Sequence, residues 1–281
     1  LVIDEATQAT APSCWIPMTH ARRAILVGDH KQLPPTILNR DAAESGLQYP
    51  LFERLARHHE TDPETPGSIR SLLRTQYRMH ETIMGFSSRT FYDGRLQADD
   101  SVRGHTLADL GVSPDALPAD TRREILAPEA PLVFVDTAAI DAPGRQRPGS
   151  NSRENPREAG LVAQLATDLM SAGVAASDLA IISPYHDQVN RIEDQLEVED
   201  LEVDTVDGFQ GREKEVVLVS LVRSNDRGEI GFLDEPRRFN VALTRARRKA
   251  VVVGDADTVG ESAVFGALIR YAGVNGRTVS L

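Results

Sequence analysis

The sequence of 281 residues has little cysteine, little lysine and no long apolar run. Cys14 is its only cysteine, which excludes an internal disulfide and a cysteine-cluster zinc site and suits a reducing compartment. No apolar run approaches the ~18 residues that cross a bilayer. No basic segment followed by an apolar one marks a secretory signal either. These absences predict a cytoplasmic protein that has no membrane partner.

The basic residues are nearly all arginine, since Lys31, Lys214 and Lys249 are the only lysines. The chain has 42 acidic and 31 basic residues, and its net charge of −11 argues by itself against nucleic acid as a partner. Such usage fits either adaptation to a high-salt cytoplasm or GC-rich codon bias. At about 1 M salt the Debye length is only ~3 Å, so local basic clusters matter more than net charge.

Apolar and charged residues make up 41% and 26% of the chain, which is typical of a packed globular protein. Its length favours two domains, at roughly 150 residues each. Apolar strands alternate with helical segments, which predicts an α/β fold with parallel sheets. Pro63, Pro66 and Gly67 mark a boundary within the segment 60–67. We therefore predict one domain over residues 1–69 and a second over residues 70–281.

The chain opens on Leu1-Val2-Ile3, a pattern typical of the end of a buried strand. We therefore expect the first domain to be incomplete here, with an N-terminal part of the same protein lying elsewhere. Within the second domain we predict a helix over 81–91, a helix that Asn155 caps and Pro156 opens, and a helix over 237–249. Residues 98–130 are predicted to be a surface excursion, 142–153 a polar loop and 193–204 a solvated acidic face.

Two short motifs in the first domain are compatible with nucleotide chemistry. Asp4 and Glu5 follow an apolar strand, where one carboxylate can hold Mg²⁺ and the other can polarise a water that attacks a phosphate. Acids at strand ends are nevertheless common. The segment 28–35 follows the second strand, and ligands gather at such strand ends, where Gln32 could sense a γ-phosphate. An ordinary turn is the alternative interpretation.

Six motifs in order make the pattern specific. They are Leu1–Gln8, Gly28–Pro35, Gln76-Tyr77-Arg78-Met79, Ile182-Ser183-Pro184-Tyr185, Thr205–Glu215 and Asn240–Arg247. This series resembles motifs II, III, IV, IVa, V and VI of superfamily 1 helicases. The branch it resembles is the 5′→3′ group of the nonsense-mediated-decay and immunoglobulin mu-binding-protein helicases. The resemblance implies two RecA-like domains of the P-loop NTPase type, with the first represented by its C-terminal part only.

The resemblance also implies that ATP binds between the two domains and that single-stranded DNA or RNA crosses their top. Asp4 would be the Mg²⁺ ligand and Glu5 the catalytic base. The other residues implied on the ATP side are Gln32, Tyr77, Arg78, Gln210, Gly211, Glu213 and Arg245. Ser183, Tyr185 and Thr205 would lie on the nucleic-acid side.

Simple chemistry agrees with these roles. The fork of an arginine suits phosphate, and an arginine finger such as Arg245 is worth ~10³–10⁵ in rate. The arginines at 237, 238, 245, 247 and 248, with Lys249, form a local basic cluster. A helix with solvated, ion-paired arginines is the alternative, and we expect Arg237 and Arg248 to be structural. Tyr77 is either a stacking platform for adenine or a core aromatic. No histidine is assigned a metal or acid–base role.

The sequence departs from the family in one important respect. The phosphate-binding loop of the family ends in Gly-Lys-Ser/Thr, and no Gly-Lys pair occurs here. Two hypotheses follow. The chain is either the C-terminal part of an ATP-dependent helicase that works with a missing N-terminal part, or a truncated module that binds nucleic acid or a partner without hydrolysing ATP.

Overall fold

The computed structural model describes residues 1–59, 62–63, 65–141 and 143–281. It consists of two compact units, Leu1–Leu73 and Arg74–Leu281. Glu60 and Ala142, which begin the predicted boundary segment and the predicted polar loop, lie outside the described residues.

The first unit is built on two short parallel strands. These are β1 (Val2–Ile3) and β2 (Ile25–Leu26), with Val2 opposite Ile25. Its helices are α1 (Ala11–Met18), α2 (Arg40–Ala42) and α3 (Leu51–His58), with a π-helical turn over Ala43–Leu47. Ala11, Cys14 and Leu51 are buried together and form a small core. The ends of β1 and β2 are therefore fixed by their parallel pairing and by packing against the helices.

The second unit contains the larger set of elements. Its strands are β3 (Thr75–Gln76), β4 (Gln97–Ala98), β5 (Leu132–Asp136), β6 (Arg145–Gln146), β7 (Arg153–Glu154), β8 (Leu179–Ser183), β9 (Glu202–Thr205), β10 (Lys214–Ser220), β11 (Ala246–Gly254) and β12 (Arg277–Ser280). Its helices are α4 (Glu81–Phe91), α5 (Thr121–Leu126), α6 (Pro156–Ser171), α7 (His186–Glu193), α8 (Pro236–Leu243), α9 (Ala256–Val259) and α10 (Ala263–Asn275). Short 3₁₀ turns lie at Leu107–Leu110, Pro114–Ala116, Ala176–Asp178 and Gly231–Asp234.

Six of these strands form one sheet in the order β12-β5-β11-β10-β8-β9. Every pairing in it is parallel. Residues 216–219 of β10 and 250–253 of β11 are buried, as expected for strands covered on both faces. The predicted α/β class with a parallel sheet is confirmed. Because all six strands point the same way, the sheet has one amino-terminal edge and one carboxyl-terminal edge.

Two local predictions were wrong, and one was confirmed. Residues 98–130 are not a surface excursion, because Leu107, Ile125 and Leu126 are fully buried in the main core. The predicted helix over 237–249 stops at Leu243, since the apolar residues after it pair as strand β11. The acidic segment 193–204 is solvated as predicted, since Glu193, Asp194, Glu197, Glu199 and Asp200 are exposed. Its last residues form the edge strand β9, which pairs with β8.

No helix among the described residues is long and apolar enough to cross a bilayer.

Lys249 is the most unusual residue of the core, because it is fully buried on β11. Its ammonium donates to the carbonyl oxygens of Ala127 and Ala130, at 3.0 and 2.6 Å. Burial lowers its pKa from the usual value to about 7. The buried lysine thus satisfies the backbone carbonyls of the segment that leads into β5, at the cost of desolvating a cation.

This burial predicts a stability that depends on pH. Between about pH 7 and 9.5 the folded state holds Lys249 neutral, whereas the unfolded chain keeps it protonated. The unfolded state then binds more protons, so the free energy of unfolding rises with pH, by at most about 1.4 kcal/mol per unit. Lys249→Met should abolish this rise, and Lys214→Met should keep it. Urea unfolding followed by far-UV circular dichroism measures it, since Trp15 reports only on the first unit.

Candidate nucleotide and nucleic-acid site

Both carboxylates predicted in the first unit lie at the carboxyl end of β1. Asp4 and Glu5 are exposed, and Glu5 has a φ of 49°, a left-handed conformation that strains a residue other than glycine. One oxygen of Asp4 accepts the Glu5 amide at 2.9 Å, and one oxygen of Glu5 accepts the side-chain amide of Gln8 at 2.7 Å. The strain is a sign that this turn serves to present the two acids.

The segment 28–35 lies beside these acids. A Cβ on Gly28 would come 3.0 Å from the Thr7 nitrogen, a tight contact, so glycine favours the close approach of the two strand ends. The carboxylate of Asp29 accepts the Lys31 backbone amide and the Gln32 side-chain amide, both at 2.9 Å. Asp29 therefore orients Gln32, a role that the sequence did not reveal.

The acids suit a magnesium ion. Mg²⁺ keeps several waters and is bound through one or two carboxylates, which is the donor set that Asp4 and Glu5 offer. Among the described residues, no group of three or more histidine, cysteine or acidic side chains could hold a metal by itself. A metal at this strand end would depend on its bound waters and on a phosphate as further ligands.

In the second unit, Arg78 joins two distant motifs. Its Nε donates to the carboxylate of Glu213, and its Nη1 donates to the Thr244 carbonyl at 3.1 Å. The amide oxygen of Gln76 accepts the backbone amides of Arg78 and Met79, at 2.9 and 2.7 Å, and so fixes the turn that presents Arg78. Predicted motifs IV, V and VI therefore meet at the amino-terminal ends of β10 and β11.

Arg245 belongs to the same cluster, but its side chain is only 3% exposed. Its guanidinium donates to the carbonyls of Val241 and Arg212, at 3.0 and 3.3 Å, and to the Thr244 hydroxyl at 3.1 Å. In this structure the group is held by the protein's own oxygens. Its role as an arginine finger stays a prediction, which requires the side chain to turn outward.

The remaining residues predicted on the ATP side are accessible. Tyr77 is 66% exposed, which excludes the alternative of a core aromatic. Gly211 has a φ of 82°, a conformation that favours glycine, and Gln210 beside it is half-buried. Glu213 is exposed and also lies 3.9 Å from the Arg247 Nε. As expected, Arg248 is structural, with ion pairs to Glu215 and Asp109.

The residues predicted to face nucleic acid lie at the opposite, carboxyl-terminal edge of the same sheet. Ser183 ends β8 opposite Thr205, which ends β9. Thr205 is half-buried, and its hydroxyl accepts the Gly208 amide at 3.2 Å. Ser183 is 1% exposed and donates to the Ser220 carbonyl at 3.2 Å. Tyr185 is buried too, with its ring 6.1 Å from that of Phe232.

The hydroxyl of Ser183 is therefore used inside the protein, and a contact of these three residues with nucleic acid stays a prediction. For Ser183 a structural role accounts for the side chain.

Comparison with known proteins gives a consistent result. Two family models, both described as AAA domain, match residues 1–40 and 47–257. DNA-binding protein SMUBP-2 of Rattus norvegicus is 44% identical over 96% of this chain and 26% of its own length. DNA polymerase alpha-associated DNA helicase A of Saccharomyces cerevisiae is 39% identical over 92% of this chain and 38% of its own.

A third relative is a homologue of regulator of nonsense transcripts 1 from Neurospora crassa, 38% identical over 91% of this chain and 22% of its own. The chain belongs to the superfamily 1 helicases. Among solved structures, the arterivirus helicase nonstructural protein 10 is similar over 95% of this chain and 40% of its own, at 14% identity and a TM-score of 0.43. This helicase chain spans 22% to 38% of the length of the three relatives.

Sequence reasoning missed a buried polar network beneath the predicted nucleic-acid edge of the chain. Glu158, fully buried on α6, accepts the Ser220 hydroxyl at 2.7 Å and the Val222 amide at 2.8 Å. The side chain of Gln188 donates to the Ser220 hydroxyl at 2.9 Å. Burial raises the pKa of Glu158 to about 7. The only signal in the sequence was Asn155, whose side chain caps α6 as predicted.

The network holds the chain in an uncommon conformation just after β10. Val222 has a φ of 70°, which is costly for a β-branched residue. Its amide is held by the Glu158 carboxylate, and its carbonyl would lie 2.2 Å from a Cβ on Gly144. Strain stored at a strand end, beside residues of the predicted nucleic-acid edge, is typical of a functional segment.

A stability measurement distinguishes a structural role of Ser183 from a role in binding nucleic acid. Ser183→Ala should lower the free energy of unfolding by about 1 kcal/mol, because a buried hydrogen bond to the Ser220 carbonyl is lost. Thr205→Val, at the matched position of the neighbouring strand, tests the half-buried hydroxyl that accepts the Gly208 amide. Urea denaturation compares the two variants with wild type. Wild-type stability for Ser183→Ala, together with weaker binding of single-stranded nucleic acid, would contradict the structural role.

Proposed function

We propose that this chain is the C-terminal part of an ATP-dependent helicase that couples ATP hydrolysis to movement on single-stranded DNA or RNA. The observation that carries the proposal is the cluster of Arg78, Glu213 and Arg245. These residues come from three separate motifs, and their side chains join through Thr244 and Arg212 at one edge of the sheet. The family membership and the order of all six motifs support it further.

The proposed division of labour follows from the chemistry of phosphoryl transfer, which consists mostly of positioning and charge stabilisation. In the first unit, Glu5 would accept a proton from the attacking water and Gln32 would contact the γ-phosphate. Asp4 would hold Mg²⁺, which supplies positive charge between the phosphates. In the second unit, Arg78 and Arg245 would neutralise charge on the transferring group.

Nucleotide recognition would fall to Tyr77, Gln210, Gly211 and Glu213. Tyr77 is an exposed ring next to Arg78 and suits stacking on adenine. Glu213 is an exposed carboxylate and suits a ribose hydroxyl. We propose that Tyr185 and Thr205 contribute to nucleic-acid binding at the other edge, with Ser183 supporting them from within.

The polarity of movement is proposed as 5′→3′, from the branch that the motifs resemble. The chain alone has no Gly-Lys pair and hence no lysine of a phosphate-binding loop. We therefore propose that hydrolysis needs a further, N-terminal part of the same protein. A non-hydrolysing binding module is the second candidate, and the same missing lysine favours it.

The test is steady-state phosphate release with single-stranded DNA or RNA, comparing residues 1–281 with the longer protein that contains them. Residues 1–281 alone should release negligible phosphate, and the longer protein should be stimulated by a single strand. In the longer protein, Arg78→Ala should lower kcat by about 10³-fold, because charge on the transferring phosphoryl is no longer neutralised. Arg270→Ala, an exposed arginine on α10, is the control.

Arg245 needs a second comparison, because its buried hydrogen bonds also stabilise the fold. Arg245→Ala and Arg245→Lys should both be slow, since a lysine cannot reproduce the fork of the guanidinium. Thermal unfolding of each variant shows whether the loss is chemical or structural. Normal hydrolysis by folded Arg78→Ala and Arg245→Ala proteins, or robust turnover by residues 1–281 alone, would overturn the proposal.

A further inference from the structure

The segment 142–153 has a charge opposite to that of the chain as a whole. Its twelve residues contain three arginines and no acid, in a protein whose net charge is −11. The sequence predicted a loop here, but the structure pairs β6 with β7 as an antiparallel hairpin, with Arg145 opposite Glu154. We call residues 144–154 the arginine hairpin.

The arginine hairpin is ordered by its own hydrogen bonds. At its tip the side-chain amide of Gln146 donates to the Ser150 carbonyl at 2.5 Å, and the Ser150 amide donates to the Arg147 carbonyl at 3.1 Å. Gly149 takes a φ of 79° and completes the turn. The hairpin therefore presents its side chains from a defined backbone.

Its base is attached to the predicted nucleic-acid edge. The Gly144 amide donates to the Ser224 carbonyl at 3.2 Å, just after β10. The Ser152 hydroxyl accepts the Asp187 amide at 3.1 Å, two residues after Tyr185. The tight approach of Gly144 to the strained Val222 leaves no room for a side chain. The hairpin is thus fixed beside the carboxyl ends of β8 and β10.

The charges on the hairpin divide into two groups. Glu154 is buried and pairs with Arg145 at 2.9 Å and with Arg191 at 3.4 Å. It therefore offsets positive charge where the hairpin joins the rest of the unit. Arg147 and Arg153 form no ion pair with any carboxylate that the structure describes. The Asp187 amide, which donates to the Ser152 hydroxyl, ties the residue before Arg153 to the segment that carries Tyr185. Burial raises the pKa of Tyr185, and the charges of Arg223 and Arg153 oppose that rise.

We propose that Arg147 and Arg153 bind phosphate groups of the backbone of single-stranded nucleic acid that reaches Tyr185 and Thr205. This inference rests on the proposed function and extends its binding edge. Two unpaired guanidiniums suit phosphate oxygens, which they contact through paired hydrogen bonds. Ser150 and Asn151, which lie between the two arginines in the chain, offer further hydrogen-bond donors to phosphate. No base is recognised by these contacts. The contact is therefore independent of sequence.

An acidic protein surface is the competing occupant, and the composition of the hairpin argues against it. Residues 143–153 consist of proline, glycine, arginine, glutamine, serine and asparagine, with no aromatic or aliphatic side chain. The centre of a protein–protein interface is apolar and rich in aromatic residues. Binding to single strands, by contrast, begins with a positive groove that follows the backbone.

The test measures how binding depends on salt. Fluorescence anisotropy of the 281-residue chain with labelled oligothymidylate and oligouridylate of equal length is recorded from 50 to 500 mM KCl. Each phosphate contact on a single strand contributes about 0.7 to the slope of log affinity against log salt. Arg147→Ala/Arg153→Ala should therefore reduce the slope by about 1.4 and weaken binding roughly tenfold near 100 mM. The affinities for oligothymidylate and for oligouridylate should fall equally.

Three comparisons make the outcome decisive. Arg270→Ala, on the helix that packs against β5 and β12, should leave slope and affinity unchanged, and Arg147→Lys/Arg153→Lys should retain most of the slope. Unchanged binding by the double alanine variant overturns the hairpin while leaving the proposed function intact. Absence of binding by the wild-type chain overturns both. Equal competition by polyglutamate of matched charge overturns nucleic acid as the occupant.

Discussion

The parallel pairing of β10 with β11 is the constraint on which the second unit depends. Both strands are buried along most of their length, and each pairs with a further parallel strand, β8 on one side and β5 on the other. A strand covered on both faces carries few polar side chains away from its ends, and Lys249, which is bonded to two carbonyls, is the exception in β11. The chemistry of this unit is therefore confined to the two edges of the sheet, and its motifs lie in the segments that enter or leave the strands.

The two edges hold different chemistry. At the amino-terminal ends of β10 and β11, arginines and a carboxylate meet over backbone carbonyls, an arrangement suited to an anionic ligand. At the carboxyl-terminal ends, hydroxyls and amides surround a buried acid, Glu158. Its network has no exposed charge, yet it fixes Ser220 and Val222 and so determines where the loops above it stand. The arginine hairpin then adds positive charge beside this network.

The parts that could be predicted from sequence are those in which one local signal decides the structure. Helix α4 was predicted with its observed bounds, and Asn155 marked the start of α6 because a cap is a local hydrogen bond. The end of α8 could not be predicted, because residues after Leu243 carry a helical pattern that strand pairing overrides. The burial of 107–126 was missed, since a segment rich in aspartate, proline and glycine gives no sign of the core it covers.

The same distinction between local and long-range signals applies to the candidate site. The motifs identified Arg78, Glu213 and Arg245 from their order in the chain, and the structure brings these three together. The motifs could not predict how deeply each side chain is buried or which groups it bonds to. Burial of Arg245 and Ser183 depends on which oxygens lie within reach after folding, and pairing of Glu158 with β10 depends on residues more than sixty positions away.

The length of β10 also sets the distance between the two edges of the sheet. Strand β10 has seven residues, which at ~3.3 Å each span about 23 Å between the arginine cluster and the network at Glu158. A close-packed slab of this kind has low compressibility and transmits strain instead of absorbing it. A displacement at one end of β10 therefore reaches the other end as a shift of the whole strand rather than as a local bend. The sheet is thus a stiff connection between the edge predicted to bind nucleotide and the edge predicted to bind nucleic acid.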